Sequence, residues 1–168
     1  MKKFFIMVLS LCLLLCGCTP SFSASKGPVL DKVFIQTFPF HCKSIDQAVE
    51  WFKAYDNYTV KSVDESDNTI EASYSGNIDW HLNAHYWDME PSDLFRVDGY
   101  FVLFTPDADY SEQDWLAIYN CAVSELIDIC GNPVKTLDDG NCQFFQQGQL
   151  EIKISLGSRV TLEMTYKA

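Results

Sequence analysis

The stretch "LEIKISLGSRVTLEMTY", residues 150–166, decides how the chain folds. Leu150, Ile152, Ile154 and Leu156 alternate with polar neighbours, a turn follows at Gly157-Ser158, and Val160, Leu162, Met164 and Tyr166 alternate again. A period of two places successive side chains on opposite faces of a strand. Two such strands joined by a tight turn form a hairpin, and one apolar face beside one polar face marks an antiparallel sheet that buries one side.

The segments before this hairpin echo one another. "VKSVDESDN" (60–68) matches "VKTLDDGN" (134–141) in its Val-Lys-hydroxyl-aliphatic-acid order, and "YSGNIDW" (74–80) matches "QQGQLEI" (146–152). Upstream, "VFIQTFP" (33–39) and "YFVLFTP" (100–106) are strand-like runs stopped by Pro, each followed five residues later by a serine, Ser44 or Ser111. These serines open capping-box patterns, Ser44 with Gln47 and Ser111 with Asp114. Four landmarks in the same order point to an internal duplication.

Two amphipathic helices follow the serines. The first carries Ile45, Ala48, Val49, Phe52 and Tyr55 on one face, and the second Trp115, Ile118, Tyr119, Ala122, Leu126 and Ile129. Gly131, with Pro133 just beyond, ends the second helix. The expected fold class is α+β: two fused β-α-β-β-β repeats, about residues 33–98 and 99–168, forming an antiparallel sheet with the helices packed on one face.

Such a tandem, with "CGNP" (130–133) after the helix and a turn, aromatic, turn, strand order beyond, resembles the secreted beta-lactamase inhibitor proteins. More distantly it resembles the small SmpA/OmlA outer-membrane lipoproteins. The resemblance covers residues 33–167 in pattern. It implies a binding protein that uses the open face of its sheet.

At the amino terminus Lys2 and Lys3 precede an apolar run, Phe4 to Leu15, and then small residues, the three zones of a secretory signal. The run is shorter than the roughly 20 residues a spanning helix needs. "Leu15-Cys16-Gly17-Cys18" resembles the bacterial lipobox. That resemblance implies cleavage after residue 17 and lipidation of Cys18, whose diacylglyceryl and acyl chains supply the two signals that stable anchoring needs. The expected organisation is a signal peptide (1–17), a lipidated tether (18–30) and a single α+β domain (31–168), located at the extracytoplasmic face of the cell membrane.

Of the 168 residues, 12 are Lys or Arg and 23 are Asp or Glu, for a net charge of −11. Loss of residues 1–17 removes two lysines and no acid, leaving −13 on 151 residues. A chain this acidic is repelled by nucleic acid, and nucleic-acid binding is excluded as a function. Apolar residues at 48% argue against disorder. After cleavage and lipidation, Cys42, Cys121, Cys130 and Cys142 remain, with three possible pairings. Cys121 and Cys130 on one helix stand too far apart to bridge, nine residues at about 1.5 Å each.

The richest local chemistry is "NIDWHLNAHYWDMEP", residues 77–91. His81 and His85 would share one face of a helix, as in zinc sites. The alternation of Ile78, Trp80, Leu82, Ala84 and Tyr86 makes this a strand instead, on which the two histidines stand about 13 Å apart at 3.3 Å per residue. One ion cannot bridge that distance, and no metal or other cofactor is expected. His41-Cys42 is no catalytic pair, because adjacent extended residues point to opposite sides. The acids at 64–67 and 138–139 lack the twelve-residue calcium loop and read as turns. No catalytic residues are assigned.

With Trp87, Tyr100, Phe104 and Phe145 assigned to the same face as His81 and His85, and Arg96 nearby, the open face has the composition of a protein-binding surface. The expected function is noncovalent binding of an envelope or extracellular protein or peptide, through His81, His85, Trp87, Arg96, Tyr100 and Phe145. The competing classes are a small metal-dependent hydrolase around Asp79, His81 and His85, and a solute-binding or structural envelope lipoprotein.

Overall fold

The computed structural model describes residues 22, 27–30, 44–88 and 97–167, without the side chains of 87, 88, 97–100 and 167. The expected signal, Cys18, the strand-like run 33–39, Cys42 and Arg96 lie outside the described residues. The described elements are α1 (Ile45–Ala54), β1 (Tyr58–Asp64), β2 (Thr69–Tyr74), β3 (Trp80–Asp88), β4 (Val97–Pro106), α2 (Glu112–Cys130), β5 (Lys135–Leu137), β6 (Cys142–Gln147), β7 (Leu150–Leu156) and β8 (Val160–Lys167). All eight strands form one antiparallel sheet in the order β1-β2-β3-β4-β8-β7-β6-β5. The class is α+β, as the sequence implied.

Both helices begin where the serines place them. Ser44 accepts a hydrogen bond from the Gln47 amide at 3.3 Å. Ser111 accepts from the Asp114 amide at 3.2 Å, and its hydroxyl donates back to the Asp114 carboxylate at 2.7 Å, so the capping pair closes. At the far end of α2, Gly131 takes φ +84° and donates to the Ile127 carbonyl. Helix α1 contacts β1 and β2, and α2 contacts β6, β7 and β8.

Register shows how the core is built. Ile70, Ala84, Val102, Met164 and Ile152 stand opposite one another across five strands, and the next row is Ala72, Leu82, Phe104, Leu162 and Ile154. Every one of these is fully buried. Phe52, Trp115, Ile118, Ala122 and Leu126 from the helices join the same cluster, and among the described residues no polar or charged one is buried with them.

Two expectations need correction. After α2 come four strands rather than three: "VKTL" forms the short edge strand β5, and a 3-10 turn at Asp138–Gly140 leads into β6. The matching "VKSVD" instead lies within the full strand β1, paired with β2 from Tyr58 to Asp64. The segment read as a tether is also partly docked. Val29 and Leu30 are 2% and 1% exposed, and their amides donate to the two oxygens of Glu125 on α2 at 2.6 and 2.5 Å. Gly27 is required there: it takes φ +121°, and a Cβ would lie 2.5 Å from the Asn77 side-chain nitrogen that donates to the Pro28 carbonyl.

Candidate binding face

The residues of opposite parity to the core rows define the other sheet face. One row runs Thr69, His85, Phe101, Thr165, Glu151, Gln146, and the next Glu71, Asn83, Leu103, Glu163, Lys153, Phe144. Phe101, Leu103 and Phe144 are half-buried, each flanked by polar side chains. Lys135 on the edge strand holds its ammonium 5.3 Å from the Phe144 ring centroid, a cation–π distance.

Short polar pairs order the charged side chains. Lys153 bonds Glu163 at 2.7 Å directly across the β7–β8 pair, and this bond raises the lysine pKa against the opposing effect of burial. His81 Nε2 lies 3.6 Å from Glu71, whose other oxygen accepts from Ser62 at 2.9 Å. Ser155 and Thr161 share a hydrogen bond of 2.7 Å.

At the end of the sheet where β4 finishes, two clefts meet at Arg159. One, of about 510 Å³, is lined by Asn141, Cys142, Lys153, Ser155 and Thr161 together with Arg159. The other, of about 360 Å³, is lined by His81, Thr105, Asp107, Asp109 and again Arg159. The Arg159 guanidinium bonds Asp109 at 2.6 Å, tying the β7–β8 turn to the segment that leads into α2. Hydroxyls, an amide, a thiol and paired charges can exchange hydrogen bonds with a polar ligand.

The structure sorts the sequence-assigned site residues. His81 and His85 lie on this face at the parity expected, His81 in the smaller cleft. Trp87 shares their parity along β3, opposite Gly99. Phe145 does not belong here: it is fully buried, opposite Ile152 in the core. Of the adjacent pair Phe144 and Phe145, one had to face inward, and the register with β7 selects Phe145. Phe104 is likewise buried, between Leu82 and Leu162. Tyr100 stands in backbone register with Tyr86 and Tyr166, at the parity of the core rows rather than that of His81 and His85. "YFVLFTP" has large apolar residues at both parities, so its own alternation could not fix its facing.

Sequence reasoning missed Phe101, Leu103, Phe144, Lys153 and Arg159. The outward lysine in "LEIKISL" was the one available signal among them. Asp79, grouped with the histidines in the hydrolase alternative, instead accepts from the Gly76 amide at 3.3 Å in the turn before β3. Among the described residues, no group of three or more His, Cys, Asp or Glu could hold a metal ion, and no helix is long and apolar enough to cross a membrane. Cys121, Cys130 and Cys142 are free thiols. Burial raises the pKa of Cys121 and Cys130, which keeps them protonated and unreactive at neutral pH. Compared with known proteins, the chain matches no family model, no curated protein and no solved structure.

Proposed function

We propose that this is a lipoprotein, anchored through Cys18 at the extracytoplasmic face of the cell membrane, that binds an envelope or extracellular protein or peptide on the open face of its sheet. The observation that carries the reading is the row of half-buried Leu103 and Phe144 interleaved with paired charges, on the face opposite the core rows. Apolar anchors in a polar surround are how binding surfaces concentrate their energy. The signal-like amino terminus and the lipobox support the location.

In this reading the body is a duplication with its boundaries moved: α1 with β1–β4 forms one unit and α2 with β5–β8 the other, both helices covering the same sheet face. The strand order, which runs from β1 to β4 and then back from β8 to β5, supports it. It also keeps the likeness to the beta-lactamase inhibitor proteins, as an analogy of architecture.

The test is affinity capture from detergent-solubilised envelope, with the mature chain beside a His81→Ala, Leu103→Ala, Phe144→Ala variant of equal fold. A partner held by the first and lost by the second is the expected result. If both hold the same proteins, the open face is not the binding site.

A further inference from the structure

The segment between the lipidation site and the body is pinned in two places. The Phe22 amide donates to Asp114 at 3.1 Å, in the first turn of α2, and its side chain packs against the core. Further along, Glu125 takes the amides of Val29 and Leu30, and the side chains of Asn77 and Trp80 donate to the carbonyls of Pro28 and Val29. Phe22 follows Cys18 by four residues. Whatever path residues 19–21 take, that length reaches at most about 14 Å at roughly 3.5 Å per residue, against about 42 Å if the chain were loose to Leu30.

The pinned point lies at one defined end of the sheet. Strand β4 stops at Pro106, opposite Trp80 where β3 begins, and the chain reaches the Ser111 cap of α2 within five residues. The Arg159–Asp109 pair and both clefts belong to this end. The β1–β2 turn after Asp64 belongs to the other, beyond Tyr86, about 20 Å away along β3 at 3.3 Å per residue.

We infer that the pinned segment sets how the body stands on the bilayer, with the first turn of α2 and the Arg159–Asp109 clefts toward the lipid and the β1–β2 turn away from it. This orientation rests on the lipidation of Cys18. Ligands of the clefts are then met close to the membrane surface.

The experiment uses the full chain, processed in a bacterial host and reconstituted in phosphatidylcholine–phosphatidylglycerol vesicles that carry an energy-transfer acceptor on the headgroups. A fluorescent amino acid is placed at Gln113 or at Ser66, both exposed. Transfer from position 113 should exceed that from 66 by about twofold or more, given the ~20 Å that separates the two ends. Equal or reversed transfer from an acylated chain overturns the orientation and leaves the lipidation standing. An amino-terminal peptide without acyl mass removes the premise and overturns both. An Asp114→Ala, Glu125→Ala variant with an unchanged circular-dichroism spectrum should lose most of the difference; if it keeps it, the segment does not set the orientation.

Discussion

Phe144 and Phe145 are neighbours in sequence with opposite environments, so truncating each in turn measures how firmly the β6–β7 register is set. Phe145 is fully buried opposite Ile152. A buried Phe removes roughly 150–200 Å² from water, which at ~25 cal/mol per Å² gives an upper figure of about 4–5 kcal/mol. Compaction of the unfolded chain lowers it, and the cavity left behind raises it, so Phe145→Ala should cost about 3–5 kcal/mol. Phe144 is half-buried on the open face with Lys135 over its ring. Its loss forfeits a cation–π contact of about 0.5–1 kcal/mol and part of the ring's burial, and Phe144→Ala should cost about 1–2 kcal/mol. Urea unfolding followed by tryptophan fluorescence reads both, and at about 2–4 °C per kcal/mol the melting points should differ by several degrees. Equal losses, or a larger loss for Phe144→Ala, would mean that β6 is shifted by one residue and the facing of its side chains reversed.

Ser111→Ala should cost about 1 kcal/mol at neutral pH through loss of the α2 cap. The same hydroxyl is the main cause of the lowered Asp114 pKa. A depressed carboxylate stabilises the fold above its unfolded pKa of about 3.9, and the contribution is lost as pH falls through the folded value. The gap between wild type and Ser111→Ala in thermal scans should therefore narrow below about pH 4; a constant gap would show that Asp114 takes no part. Gly27→Ala, strained at φ +121° and crowded by Asn77, should cost more than about 1 kcal/mol and free the docked segment. Trypsin should then cleave after Lys26 faster than in wild type, and an unchanged cleavage rate would refute the docking.

The parts of the fold legible in the sequence were those governed by local rules. The capping serines, the α2 stop at Gly131 and the alternation of β7 and β8 each follow from residues a few positions apart. The facing of β4 and β6 was not legible, because "YFVLFTP" and "CQFFQQ" carry apolar residues at both parities and only pairing with Leu82, Leu162 and Ile152 selects one. The docking of Val29 and Leu30 depends on Glu125, about 95 residues away. No local pattern encodes that. On the candidate face the histidines were found through the alternation of β3, whereas Leu103 and Arg159 join them only once the strands are laid side by side.

The strand order also has a consequence for assembly. Strands β1 to β4 pair in succession, as do β5 to β8, so most of the sheet forms between close neighbours in sequence. The seam between β4 and β8 is different: it joins Phe104 to Leu162 and Gly99 to Lys167, closing loops of about 60 residues whose entropy must be lost before the contacts form. Until it closes, each half offers an unpaired inner strand with an apolar face, and each inner strand matches the other half of any second copy as well as its own. The seam is thus where folding slows, and where two chains at high concentration would exchange halves.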